Sequence, residues 1–218
     1  MKRYVVVGLG NFGSSVAESL HARGHEVVVV DTSEAAVDRV APYVTRAAVG
    51  DGRDLKVLER IGAKGADVGV VSTGDDIAAS ILATMSLRDL EVSDVYVKVI
   101  SADHARVMER MGVTDTIFPE RESALGLAAR ISGRAILNYV RLGTSFSIQE
   151  MAVPTDWEGK SLRELRLRRG YRVGVVAVHD VLTDAWSVVP DPDSPLKESD
   201  TLLVAGLDED LSRLAQLK

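Results

Sequence analysis

The sequence predicts an α/β protein: a doubly wound parallel sheet, then a long helix, then a small α+β domain. Three observations carry this. Short β-branched runs alternate with helical patterns through residues 1–119. A glycine turn, Gly8-Leu9-Gly10-Asn11-Phe12-Gly13, lies between the first run and the first helical pattern. The texture then changes after Phe118-Pro119.

In the first part, strands are expected at Arg3–Val7, Glu26–Val30, Val44–Val49, Val68–Ser72, Val95–Val99 and Thr116–Phe118. Helices are expected between them at Asn11–Arg23, Ser33–Ala41, Arg53–Ile61, Asp75–Asp89 and Ala102–Met111. Strands that are apolar on both faces and separated by helices form a parallel sheet covered on both sides. Right-handed crossovers make that sheet doubly wound, which is a Rossmann-like arrangement. Ser33 has the chemistry of a helix N-cap, and Gly24 and Gly112 stand where helices stop.

From Glu120 to Leu142 the spacing of Leu125, Ala128, Ile131, Ile136 and Val140 suggests one long helix, with Gly126 and Gly133 inside it. An ordinary core helix and a crossover or dimerisation helix both fit. Beyond it, strands are expected at Ser145–Val153, Arg172–Val178, Ala185–Val189 and Thr201–Ala205. Helices are expected at Ser161–Leu167 and Asp208–Gln216, and Pro190-Asp-Pro-Asp-Ser-Pro195 is a turn-rich connection. The division is therefore a doubly wound domain over 1–119, a helix over 120–143 and a small α+β domain over 144–218.

Composition removes several function classes. A chain of 218 residues with 46% hydrophobic residues can build a core. Its net charge of −6 argues against a nucleic-acid partner, since phosphate backbones need a basic face. With no cysteine there is no disulfide framework, thiolate nucleophile or zinc–thiolate site. No segment approaches the ~20 apolar residues of a spanning helix, and Met1-Lys2-Arg3 leads straight into a strand rather than a signal peptide. A cytoplasmic location is expected, with any membrane role supplied by another chain.

The glycine turn is the strongest local signal. Gly8 permits the tight turn off the strand, Gly10 admits a phosphate close to the backbone, and Gly13 allows close helix–strand packing. The helix that starts at Asn11 and Phe12 directs its free N–H groups at the same spot. Asp31 follows Gly13 by 18 residues, near the spacing expected of a carboxylate that binds a ribose diol. Such a carboxylate also selects against a 2′-phosphate. Thr32, Asp51, Thr73-Gly74 and Lys98 fall at neighbouring strand ends. Asp51 either contacts adenosine or forms a local turn, and Thr73 suits a helix cap.

Evidence for catalysis is thin. A dehydrogenase needs a proton donor or acceptor beside its nicotinamide. His21 and His25 flank the first helix end, and His179 is in the last domain. Only His104 lies near the right edge, where it reads as a surface residue at a helix start. Binding without chemistry is the expected class. A small NAD-dependent oxidoreductase is the rival.

Three stretches together, VVVGLGNFGSSVAESLHARGHEVVVVDTSEAAV, VGDGRDLKVLERIGAKGADVGVVSTGDD and VYVKVISADHARVMERMGVTDTIFPERESA, resemble the RCK (regulator of potassium conductance) family. The likeness is strongest to the cytoplasmic regulators of Ktr/Trk-type potassium uptake, and extends through KSLRELRLRRGY and SVVPDPDSPLKESDTLLVAG. The resemblance implies homodimers assembled into an octameric ring beneath a TrkH/KtrB-like membrane subunit, gated by exchange of ATP and ADP or of NADH and NAD. An RCK-type sensor for another ion antiporter is a further alternative. It implies nucleotide contacts at Gly8, Gly10, Gly13, Asp31, Asp51, Thr73 and Lys98, and a divalent or monovalent cation at Glu120. A dipole-favoured carboxylate at a helix start is the other account of Glu120. ATP-regulated relatives carry Arg where this chain has Asn11, an amide without charge. In some relatives cyclic di-AMP binds the last domain, where Arg168 and Pro190 match, although Arg163 and Arg169 stand where the family pocket is apolar.

Overall fold

The computed structural model describes residues 1–132, 136–142 and 145–216. The chain divides into two compact units, Met1–Glu120 and Arg121–Lys218.

The first unit runs β1 (Arg3–Val7), α1 (Asn11–Ala22), β2 (Glu26–Asp31), α2 (Glu34–Val40), β3 (Arg46–Val49), α3 (Leu55–Ile61), β4 (Val68–Val71), α4 (Ile77–Asp89), β5 (Asp94–Lys98), α5 (Ala102–Arg110) and β6 (Asp115–Ile117). All neighbours pair in parallel, in the order β3-β2-β1-β4-β5-β6. The expected doubly wound sheet is therefore present.

Valine alternation explains why helices cover both faces. Val5, Val7, Val28 and Val30 pack on one face with Leu58 of α3 and Ala83 and Leu87 of α4. Val6, Val27 and Val29 pack on the other with Ala17 of α1 and Val37 of α2. Successive strand side chains point to opposite faces, so a run of consecutive valines requires two cores. The chain reverses direction of winding between β1 and β4, which opens a crevice at their carboxyl ends.

Several helix starts are fixed by side chains. Ser33 accepts from the Ala36 N–H, as its residue type led us to expect. Thr73 does not cap α4. Asp76 takes that place by accepting from the Ala79 N–H at 2.8 Å, while the Thr73 hydroxyl donates to the Asp76 carbonyl. A carboxylate accepts more strongly from the amides at the positive end of a helix than a hydroxyl does.

The long helix expected over 120–142 is also corrected. The helix α6 covers Pro119–Ser132, and Ile136–Arg141 is a strand, β7. Residues 133–135 of the expected helix lie outside the described residues. The apolar residues after Ser132 answer to a partner strand, with Val140 opposite Ile148 and Arg141 opposite Ser147. Spacing along one segment does not register such a partner.

The second unit continues with β8 (Phe146–Ala152), α7 (Leu162–Leu165), α8 (Leu167–Gly170), β9 (Gly174–Asp180), β10 (Ala185–Ser187), β11 (Asp200–Leu207) and α9 (Asp208–Leu214). Its antiparallel sheet has the order β10-β9-β11-β8-β7. The core joins Met151, Leu202 and Val204 of the sheet to Leu167 of α8 and Leu211 and Leu214 of α9. The single helix expected at Ser161–Leu167 starts with a complete Ser161/Glu164 capping box, then breaks at Arg166, whose φ of 47° is left-handed. Among the described residues, no helix is long and apolar enough to cross a membrane.

Candidate functional site

The site is built where β1 hands over to α1. Gly8 has a φ of +92°, and a Cβ there would overlap the Ser72 carbonyl oxygen. A Cβ on Gly13 would overlap the Gly8 carbonyl oxygen. Both positions therefore exclude a side chain for backbone reasons. Gly10 differs: a Cβ there meets nothing within 4 Å, so its bareness leaves space rather than relieving a clash. Gly10 is also the N-cap of α1 and offers no side-chain hydrogen bond to the helix start. The amide end of the helix thus faces that space, an arrangement suited to an anion.

The space is part of a cavity of about 430 Å³. Of the residues read from the sequence, Gly8, Gly10, Asp31, Thr32, Asp51, Thr73 and Gly74 line it. The structure thus brings together the ends of β1, β2, β3 and β4. Asn11, Phe12 and Gly13 are not in the lining. Asn11 opens α1, Phe12 packs against the α1–α2 core, and Gly13 sits under Gly8. Lys98 lies outside the lining as well, where its ammonium pairs with Glu120 at 2.5 Å.

Asp31 is the most constrained member. Its Oδ2 accepts from the Leu9 N–H at 2.5 Å and its Oδ1 from the Ser33 N–H at 2.8 Å. The carboxylate that would meet a ribose also shapes the glycine turn, and each oxygen keeps lone-pair capacity for a further donor. Arg39 of α2 holds the next peptide of the turn, donating to the Leu9 carbonyl at 3.2 Å.

Asp51 does form a local turn, because its Oδ1 accepts from the Arg53 N–H. It also lines the cavity. Its carboxyl is held below the usual carboxylate range, chiefly by the Arg53 side chain, which donates to both oxygens. Arg53 and Asp76 line the cavity and were missed in the sequence. The glycine pattern says nothing about Arg53. Its signal is only its place beside Asp51 in the Gly-Asp-Gly-Arg turn.

His104 is not the surface residue its position suggested. It is 2% exposed, and its Nε2 lies 3.2 Å from the Ser80 hydroxyl between α5 and α4. Burial pushes its pKa down and so keeps the ring neutral. It does not line the cavity.

Glu120 is 59% exposed at its side chain, and its carboxyl is lowered foremost by the Lys98 hydrogen bond. Among the described residues, no cluster of three or more His, Asp or Glu has the geometry to hold a metal ion. Glu120 by itself is one carboxylate, short of the six to eight oxygens that calcium takes.

In the second unit, Arg168 and Pro190 converge on a larger cavity of about 820 Å³. Arg163, Arg166 and Arg169 line it with them, over a floor that includes Val176 and Val188. Arg163 is already paired with Asp193.

Known proteins resemble this chain in both domains. The TrkA-N domain model matches residues 4–119 and the TrkA-C domain model residues 148–218. The Ktr system potassium uptake protein A of Bacillus subtilis (strain 168) is 31% identical, over 97% of this chain and 95% of its own. Among solved structures, the GsuK RCK domain is similar with a TM-score of 0.66 at 18% identity, covering 99% of this chain. This chain spans about half of that one, 47%. The Kef C-terminal domain of Shewanella denitrificans, solved in AMP-bound form, has a TM-score of 0.51 at 25% identity, over 60% of this chain and 80% of its own. With both domains matched in order and almost the whole length aligned to a Ktr system potassium uptake protein, the chain belongs to the TrkA-N/TrkA-C family.

Proposed function

We propose that this chain is a nucleotide-binding, non-enzymatic subunit that gates a membrane potassium-translocating partner from the cytoplasmic side. One observation carries the proposal: Gly8, the bare Gly10 at the start of α1 and the Asp31 carboxylate all line one 430 Å³ cavity at the carboxyl edge of the sheet. An adenosine phosphate satisfies all three, with phosphate at the helix end and ribose at Asp31. The AMP-bound Kef domain, a relative at 25% identity, supports an adenine nucleotide there. The uncharged Asn11 favours ADP, AMP or NAD(H) over ATP. Burial of His104 supports a role without catalysis, since a proton donor must reach its substrate.

Gating follows from differential affinity. A ligand shifts an assembly only as far as it binds one shape better than another. In this proposal dimers join into an octameric ring, and Glu120 shares a cation with a second copy, which supplies the missing oxygens. A cyclic dinucleotide is the proposed ligand of the larger cavity, where the Arg168 guanidinium can meet its phosphate.

Calorimetry on nucleotide-free protein with AMP, ADP, ATP, NAD, NADH and cyclic di-AMP tests the reading. At least one adenine nucleotide should bind, and Asp31→Ala should weaken it. If none binds, the sensor proposal fails. Turnover of nicotinamide with a substrate would revive the oxidoreductase. Light scattering that reports only monomer, with and without ligand, would remove the ring.

A further inference from the structure

One row of polar side chains crosses the second sheet from edge to edge, and the nucleotide reading makes no use of it. Glu150 of β8 is only 7% exposed. Its Oε2 accepts from the Asn138 amide of β7 at 2.5 Å, and its Oε1 from the Thr201 hydroxyl of β11 at 2.7 Å. His179 of β9 comes next, with Nδ1 3.5 Å from the same Oε1. That nitrogen is buried and has no hydrogen-bond partner. The opposite ring nitrogen, Nε2, lies 3.0 Å from Oδ1 of Asp184, in the turn that leads into β10. Trp186 of β10 stacks on the imidazole, with centroids 4.1 Å apart and planes at 6°.

Each imidazole nitrogen therefore faces a carboxylate oxygen. A neutral ring has one N–H, and an imidazolium has two. Only the charged ring donates to both carboxylates. A neutral ring that keeps Asp184 turns the lone pair of Nδ1 toward an oxygen of buried Glu150. Glu150 is held as an anion: burial pulls its carboxyl upward, but the hydrogen bonds from Thr201 and Asn138, with His179 nearby, outweigh burial and leave it below the usual range. The other charges near His179 are committed elsewhere. Asp180 pairs with Lys197 at 2.9 Å, and Asp200 accepts from the Lys197 N–H. Thr201 faces the ring's strand from β11, and β10 contributes only the indole.

We propose that His179 is a proton-operated clasp that fastens the β9–β10 hairpin to Glu150 when charged and loosens it when neutral. The two states differ by one proton on the imidazole, and histidine is the side chain used for such switches. Its effect is local and directional. Val188, Val189 and Pro190 run on from β10 into the wall of the arginine-lined cavity. A released hairpin frees that wall, so whatever binds there meets a firmer pocket in acid than in mild alkali. Stacking adds to the difference, because a cation on an indole face is attracted more strongly than a neutral ring.

The test uses the full chain. Hydrogen–deuterium exchange of the 179–187 segment, corrected for intrinsic rates, is followed across the histidine range. Trp186 emission is followed in parallel as the difference between wild type and Trp186→Phe. Protection should fall by about threefold or more as pH rises, along a one-proton curve shared by the emission. His179→Gln should abolish the curve. Asp184→Asn and Glu150→Gln should each move it to lower pH by roughly half a unit or more, since each removes an anion beside the imidazolium. Asp184 is 90% exposed at its side chain, so its variant keeps the test alive if the others fail to fold. A curve unchanged in His179→Gln, or in Asp184→Asn, overturns the clasp.

Discussion

Asp31, at the end of β2, accepts a 2.5 Å hydrogen bond from the Leu9 N–H inside the glycine turn. The ribose-binding candidate and the phosphate-binding candidate are thus one mechanical unit. Asp31→Ala removes the acceptor of both the Leu9 and Ser33 amides. Stability should fall by about 1–2 kcal/mol and adenine nucleotide affinity by tenfold or more. Urea unfolding and calorimetry read the two losses. Affinity equal to wild type would remove Asp31 from the binding site.

Gly10 and Gly13 should respond oppositely to alanine. At Gly10 the backbone has φ −64°, and a Cβ enters open space, so Gly10→Ala should fold with stability within about 0.5–1 kcal/mol of wild type while losing nucleotide affinity. At Gly13 a Cβ meets the Gly8 carbonyl, and backbone has to move. That variant should lose about 2–4 kcal/mol, visible as a lower melting temperature. A Gly10→Ala protein that binds normally would place the phosphate elsewhere.

Arg53 is the cationic side chain in a cavity wall that also carries Asp31, Asp51 and Asp76. Arg53→Ala leaves three carboxylates facing an incoming anion. Affinity for ADP should drop by about tenfold, and by less for adenosine, which lacks phosphates. Equal losses for both ligands in calorimetry would assign Arg53 to the adenosine end.

His104 sets an acid limit on the first unit. Burial depresses its folded-state pKa, so the unfolded chain binds the extra proton more readily. The resulting stability is fully present above the ordinary histidine pKa of about 6.5 and falls as pH drops below it. Urea midpoints between pH 7.5 and pH 5.5 should decline in wild type, and the decline should be shallower in His104→Gln. Parallel slopes would assign the acid loss to other groups.

The first unit was largely legible because its information is local. Consecutive valines with helical stretches between them dictate a two-faced parallel sheet, and the glycine turn with Asp31 marks the end of its first strands. What the sequence left undecided depends on groups distant along the chain. Ile136 and Val140 fit a helical spacing as well as a strand, and the choice is made by the antiparallel partner at β8. His104 occupies a helix start, and only the packing of α4 against it makes it buried and neutral. Arg53 reached the cavity through a turn fixed by Asp51, and His179 gained its two carboxylates through three strands and a turn. Periodicity and turn chemistry are properties of a segment, so sequence alone determines them. Burial, charge pairing and strand partnership depend on atoms brought together from across the chain, so only the tertiary structure decides them.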